Sequence, residues 1–529
     1  MRQRRFWGWG YEDAGPDPMA LAAIEAGLGP MLGMDRIEVR PRPKLSEIEL
    51  RAPRIAPPKA LASVISTTPF DRAAHSYGKS YRDLVRGFAR QFDSPPDLVA
   101  FPESERQVTE LLDWCSSAGV AAIPYGGGSS VCGGVEPRLD ARFRAALTIN
   151  LTKMDRVLDI DGVSRAARIQ GGALGPVLEE QLRTHGLTLR HFPQSFEFSS
   201  LGGWIATRAG GHFATVYTHI DDLVESLRVV TPTGTIETPR LPGSGAGPAP
   251  DRLFIGSEGS LGVITEAWMR VFERPRFRAK ASVKFSSFQA GTRALRALTQ
   301  SGLFPANCRL LDPMEAMLNG AGSGDSAVLL LGFESNDHEL DAWIGRAAEL
   351  CRDAGGEVPS SALRTRTDEG ASTEGEAGAW REAFLRAPYL RDELVARGVF
   401  VETFETAVTW DRFDALHAAV MRAASESAGA RNIVTCRITH AYPDGAAPYF
   451  TVIAPARSGA ELGQWHDVKE AITTAMLDQG GTTTHHHAVG RDFRPWYDRE
   501  RPEGFARALS ATKKELDPAG ILNPGVLLD

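Results

Sequence analysis

Cysteine is scarce in this chain. The five residues, Cys115, Cys132, Cys308, Cys351 and Cys436, are odd in number and lack the spacing of a metal site. That excludes a disulfide framework and fits reduced thiols in a reducing compartment. Long apolar runs are missing too: none approaches the roughly 18 residues that a membrane-spanning helix needs. The N-terminal Arg2-Gln3-Arg4-Arg5-Phe6 is basic but opens no apolar stretch, so it does not read as a secretory signal. Nor is there a basic surplus: the net charge of −7 argues against nucleic-acid binding. The expected location is the cytoplasm, with peripheral membrane contact left open. Hydrophobic content of 43% and charged content of 24% are those of a soluble globular protein. The 529 residues could fill three or four domain-sized units, although large α/β enzymes often use fewer.

Glycine, by contrast, is concentrated in three stretches. The first, Pro124-Tyr125-Gly126-Gly127-Gly128-Ser129-Ser130, follows a strand predicted at 120–123. Its glycines tolerate positive φ and carry no Cβ, so successive N–H groups can converge on phosphate oxygens. The second is Gln194-Ser195-Phe196-Glu197-Phe198-Ser199-Ser200, leading to Gly202-Gly203, and the third runs through Glu258-Gly259-Ser260-Leu261-Gly262-Val263-Ile264. Together they read as the cradle of one dinucleotide. A Rossmann loop is excluded because Val131 stands at the third glycine position of G-x-G-x-x-G, and no Gly-Lys-Ser/Thr follows to make a Walker loop.

Residues 1–91 read as a helical lead-in in which Trp7-Gly8-Trp9-Gly10 is a packing anchor. From 92 to 275 strands and helices mix: Val108, Leu111, Leu112 and Cys115 fall at helical spacing behind a capping Pro102-Glu103-Ser104. Pro275 marks a boundary, and 276–479 reads as an α+β unit with a largely antiparallel sheet. Within it, the polar stretch 364–376 is expected to be a flexible loop or lid. The segment 480–529 closes the chain and carries His485-His486-His487, three of only 12 histidines. As a metal site the trio is poor, since adjacent residues of a strand point to opposite faces and no carboxylate or cysteine cluster accompanies it. A polar chamber wall that binds an anion or relays protons suits imidazole better. On pattern alone Tyr449 is a strand aromatic and Arg391 a surface ion-pair partner.

A resemblance lifts both. The Pro124–Ser130 loop, Phe196-Glu197-Phe198-Ser199, Gly202 to Arg208, Ile220 to Val224, Gly256 to Glu266, Thr435 to Thr439 and the histidine trio resemble those of the alkyldihydroxyacetonephosphate synthases. These are flavoproteins of the vanillyl-alcohol oxidase/p-cresol methylhydroxylase superfamily, and the Arg/Ala-rich composition is consistent with a bacterial homologue. The fold implied is α+β: a two-part FAD-binding domain of the p-cresol methylhydroxylase type at 92–275 plus an α+β cap domain. FAD, bound non-covalently, would lie against the three glycine stretches and Thr207-Arg208-Ala209-Gly210. Tyr449, His485, His486, His487 and Arg309 match residues needed for activity, and Arg391 matches the clamp on the substrate phosphate. The reaction implied exchanges the fatty acid of acyl-dihydroxyacetone phosphate for a long-chain alcohol, with no net redox change. A tyrosine of ordinary pKa near 10 is a weak base, so neighbouring positive charge is expected beside Tyr449. A homodimer is a further expectation. The alternative on the same scaffold is an FAD-dependent 2-hydroxyacid dehydrogenase or oxidase. Three departures from the family pattern stand out: Ala488 in place of a glycine, His440 after Thr439, and the tail Leu522-Asn523-Pro524-Gly525, a form shared with hydroxyacid-oxidising relatives.

Overall fold

The computed structural model describes residues 2–34, 37–359, 363–367 and 387–528. Leu98–Ala100, Ala145–Asn150 and Val120–Tyr125 pair in parallel, with the short Ile65–Ser66 antiparallel on the edge. Almost every residue of the parallel strands is buried, as expected where both faces are covered. The helix Glu105–Ala118 packs here. Ser104 caps it by accepting from Gln107 N–H, and Gly119 at φ 64° ends it in the left-handed conformation. Its apolar stripe is the predicted one, all four residues fully buried. The far end of the chain joins this sheet: Ala122 N–H donates to the Ile521 carbonyl, and Asn523 N–H donates to that of Ala122.

Five antiparallel strands form the second sheet, in the order Val157–Asp161, Ala166–Gln170, Val263–Arg270, Val224–Thr231, Gly234–Glu237. The third sheet has eight strands, all antiparallel. Its path runs Arg364–Thr367, Phe277–Phe285, Ala327–Ser335, Asn307–Leu311, Ile433–Ala441, Gly445–Pro455, Val399–Glu405, with Val408–Thr409 beside Gly445–Pro455. Strand alternation divides its residues. Leu310, Cys436, Ile438, Phe450, Val452, Phe400 and Phe404 join the core with Phe413, Leu416, Val420, Val468 and Ile472 of the helices Trp410–Ala428 and Glu461–Asp478. The opposite face is left for the site.

Arg364–Thr367, expected in a flexible loop, is instead an edge strand paired with Phe277–Lys280; 368–376 lie outside the described residues. The N-terminal aromatics are anchored. Trp7 (3% exposed) packs edge-on against Phe88, and the Trp9 indole N–H donates to the Lys79 carbonyl.

Candidate active site

The three glycine stretches do converge. A Cβ on Gly127 would lie 1.6 Å from the Phe198 carbonyl oxygen, and one on Gly126 would lie 2.0 Å from Ser200 Oγ, so the first two loops touch at distances only glycine permits. Gly259, at φ +73°, packs on the Pro124 ring and brings in the third. They bound a cavity of about 640 Å³, its open mouth included, lined by Tyr125, Ser130, Gly203, Thr207, Glu258 and Ile264 among others. Among the described residues, no backbone N–H from Gly126 to Val131 donates to a protein acceptor. Six free N–H groups around one turn are the donor set that a pyrophosphate requires, so these residues fit FAD. Glu258 holds the returning C-terminal segment by accepting from Val489 and Gly490 N–H, and burial raises its carboxyl to about 7.

A second cavity, about 2490 Å³ with its open mouth included, shares Gly126, Ser130, Ser200, Gly203 and Thr207 with the first. The cap sheet supplies its opposite wall through every second residue: Arg437 and Thr439; Tyr449, Thr451 and Ile453; Val401 and Thr403. Arg437 and Tyr449 are cross-strand partners. The Arg437 guanidinium lies 3.9 Å from the centre of the Tyr449 ring and donates to Glu315 at 2.6 Å. The same wall carries Arg309, fully buried, whose guanidinium burial lowers to about 9, and Arg391, which donates to Thr403 at 3.2 Å. Alternation breaks once. A register shift between Ile438 and His440 turns both Thr439 and His440 into the cavity, the re-aiming that a β-bulge performs.

Residues 485–487 are not a strand but a bend, so the strand-alternation argument against their convergence does not apply. Glu405 makes the bend. Its carboxylate, 1% exposed, accepts the backbone N–H of His485 (2.5 Å), His486 (3.1 Å) and His487 (3.0 Å). Three successive N–H groups on one carboxylate fold the chain so that adjacent rings meet. His486 lies nearly parallel to the Tyr449 ring, centroids 6.0 Å apart, and His487 stands edge-on to it at 5.6 Å. Ring nitrogens of His440, His485 and His486 lie within 4.8 Å of one another, close enough for one ion. However, both nitrogens of His485 are already engaged, by His486 on one side and by His219 and Tyr442 on the other. The cluster is therefore a hydrogen-bonded network. Burial first, and then neighbouring imidazoles, hold His485 and His486 well below the ordinary imidazole range. His487 is lowered by burial too, with Glu405 pulling the other way.

Of the residues singled out in the sequence, Tyr449, Arg309, Arg391, His486 and His487 line the large cavity, and His485 sits behind them. Most of the glycine-stretch residues, with Ala209 and Gly210, line one cavity or the other. Six do not. Phe196 stacks on Trp204, Glu197 accepts from the Tyr389 hydroxyl, and Phe198 packs among Trp9, Tyr11 and Tyr389. Arg208 ends a helix at φ 52° and pairs with Asp221, Ser260 donates to the Ser257 carbonyl, and Leu261 is core. Sequence reasoning gave no role to Glu405, Glu315, Tyr442 or His219. Arg437 falls within the Thr435 to Thr439 motif and His440 follows it; the recurrence of arginine and histidine there is the one signal in the sequence.

Two family models match the chain: an FAD binding domain over residues 96–239, and the C-terminal domain of FAD linked oxidases over residues 274–527. The alkyldihydroxyacetonephosphate synthase of Trypanosoma brucei brucei is 33% identical over 478 residues, which cover 87% of this chain and 77% of that protein. The synthase of Dictyostelium discoideum is 32% identical over 478 residues, covering 86% and 77%. A solved structure of an alkyldihydroxyacetonephosphate synthase superposes with a TM-score of 0.81 at 26% identity, covering 99% of this chain and 98% of that one.

Proposed function

The chain belongs to the alkyldihydroxyacetonephosphate synthase family of FAD-linked enzymes, and from that premise we propose that it joins dihydroxyacetone phosphate to a long-chain alcohol through an ether bond. An acyl ester of the phosphate gives up its fatty acid as the alcohol takes its place. The observation that carries this reading is the composition of the large cavity. One wall holds Arg309, Arg391, Arg437, Tyr449, His486 and His487, suited to an anion and to proton movement. The same cavity is also lined by apolar side chains: Ile24, Leu28, Met31, Leu318, Leu390 and Leu394 offer room for an alkyl chain.

FAD would be held by the Gly126–Val131 N–H row and would supply an electron-accepting ring to the chamber. The chain's own residues do the rest. Arg391 holds the phosphate as a planar bidentate donor. Tyr449 takes and returns the proton at the reacting carbon, and His486 and His487 exchange protons with it. Arg309, still cationic at neutral pH, balances the anionic substrate. The test is direct. Yellow protein is given acyl-dihydroxyacetone phosphate and hexadecanol, and mass spectrometry looks for the alkyl ether and free fatty acid. Absence of ether product with bound FAD and intact substrates would falsify the reading. Tyr449→Phe is expected to lose about a hundredfold or more in rate while keeping its flavin.

Peripheral contact with a bilayer belongs to the same proposal. The helix Pro18–Leu32 lines the cavity with Ile24, Leu28 and Met31 and exposes Met19 (78%) and Met31 (42%). It carries no Lys or Arg, and its Glu25 is paired with Arg397. Among the described residues no helix is long and apolar enough to cross a membrane. Co-sedimentation with phosphatidylcholine vesicles should fall when Met19 and Met31 are both changed to Ser; unchanged binding would remove this part.

A further inference from the structure

We propose that His219 is a proton-relay residue, the outer end of a wire His486–His485–His219 that runs from the chamber wall to solvent. His486 lines the large cavity, whereas His485 and His219 do not. His486 Nδ1 lies 3.0 Å from His485 Nδ1, and His485 Nε2 lies 3.0 Å from His219 Nε2. The ring planes are inclined at 87° and 67°, a twist that N–H···N bonding between imidazoles permits. His219 is half-buried and its Nδ1 lies 2.9 Å from the Arg208 carbonyl, at the exposed end of the chain of contacts.

The carbonyl fixes every proton along the wire. It can only accept, so His219 Nδ1 carries the proton and Nε2 is a bare acceptor. His485 must therefore carry its proton on Nε2, leaving Nδ1 to accept from His486 Nδ1–H. The Tyr442 oxygen, 2.7 Å from His485 Nε2, shares that proton and passes its own to Thr218 Oγ1 at 3.1 Å. The basic nitrogen of His486 is then Nε2, and all the protons point outward. When His486 Nε2 takes a proton, its Nδ1 proton moves to His485 Nδ1. The His485 Nε2 proton moves to His219 Nε2, and the His219 Nδ1 proton leaves to water.

The direction rests on the proposed function. An ester and an alcohol become an ether and a carboxylic acid, and the acid ionises near neutral pH, so each turnover must export one proton from a buried chamber. Burial keeps His485 and His486 from storing a proton, which suits carriers that pass it on. The groups facing the wire are Arg208 at its outer end, His440 along its side, and Arg309, Arg437 and Glu405 around its inner end.

His219→Asn keeps an amide donor beside the Arg208 carbonyl but cannot relay. Ether formation at saturating substrate should fall about a hundredfold, with KM and flavin content unchanged, a larger solvent isotope effect, and partial rescue by added imidazole. An unchanged rate and pH profile would overturn the relay. So would a stoichiometric transition-metal ion retained by the desalted holoenzyme, because the same nitrogens would then be ligands. If His219→Asn loses its flavin, the same readouts are taken on His219→Gln. A second measurement needs no turnover: 15N-histidine spectra of the resting flavin-loaded protein should show coupling between His219 Nε2 and His485 Nε2. No coupling sinks the wire whatever the activity. Coupling without any ether product leaves the wire standing and removes the proposed reaction instead.

Discussion

At the scale of single residues, Glu405 shapes the chamber wall without lining the cavity itself. Its carboxylate is satisfied almost entirely by backbone N–H groups of residues about eighty positions away, so it shapes chain direction rather than chemistry. Glu405→Gln would set an amide donor against N–H donors and leave at least one of them unpaired, at a cost of about 1–3 kcal/mol. The expected result is a lower melting temperature and loss of ether formation with flavin still bound, read by calorimetry and absorbance. The imidazole trio itself was legible in the sequence as a polar wall. Glu405 was not, because nothing local marks a strand-end carboxylate as the partner of a distant bend. His219 was hidden for the same reason: only folding places it behind His485.

Secondary structure explains how a sheet becomes a catalytic wall. Alternation along three neighbouring strands delivers Tyr449, Arg437 and Thr403 to one face with no special device, and of this the sequence pattern shows only that Tyr449 is a strand aromatic. The bulge after Ile438 did not follow, since one extra residue in a strand leaves no compositional trace. Loops tell a similar story. The glycine stretches announced a ligand, but not which glycines are there for the ligand and which for each other. Gly127 belongs to the second kind. Gly127→Ala would drive a methyl into the Phe198 carbonyl, a clash with backbone that costs about 1–3 kcal/mol or more. The protein should be purified pale, with its flavin content falling further than its helical circular dichroism.

For the whole molecule, buried neutral histidines contribute to the loss of stability in acid. Burial lowers His191 to about 3 and His75 to about 4. In the unfolded chain both titrate near 6.5, so the unfolded state binds more protons below that pH. Their contribution is therefore complete above about pH 6.5 and is lost as the pH falls towards 4. His191→Phe removes one such site, and urea titrations should show its stability relative to the parent improving steadily from pH 7 to pH 4. A constant difference would mean that His191 takes up its proton in the fold at the same pH as in the unfolded chain. The two halves of the site are also tied at a distance. Arg5 donates to Asp392, next to the proposed phosphate clamp Arg391, and Trp9 N–H donates to the same carboxylate. Asp392→Asn would strand a buried guanidinium, costing about 3 kcal/mol, and should raise KM for the phosphorylated substrate more than it lowers kcat.

That tie has a bearing on how the protein is made. The segment around Arg4, Arg5 and Trp9 leaves the ribosome early, yet its partners are Gly127, Lys79 and Asp392, and the strand Val120–Tyr125 gains its outer neighbour only from Ile521 and Asn523. A nascent chain can fold its nearer hairpins and helices as they emerge. It cannot seat Arg5 and Trp9 until residue 392 is available, or finish the sheet behind the glycine loop until Ile521 and Asn523 are free. Flavin capture thus waits for these residues, and ribosome-bound chains stalled before residue 521 should emerge colourless.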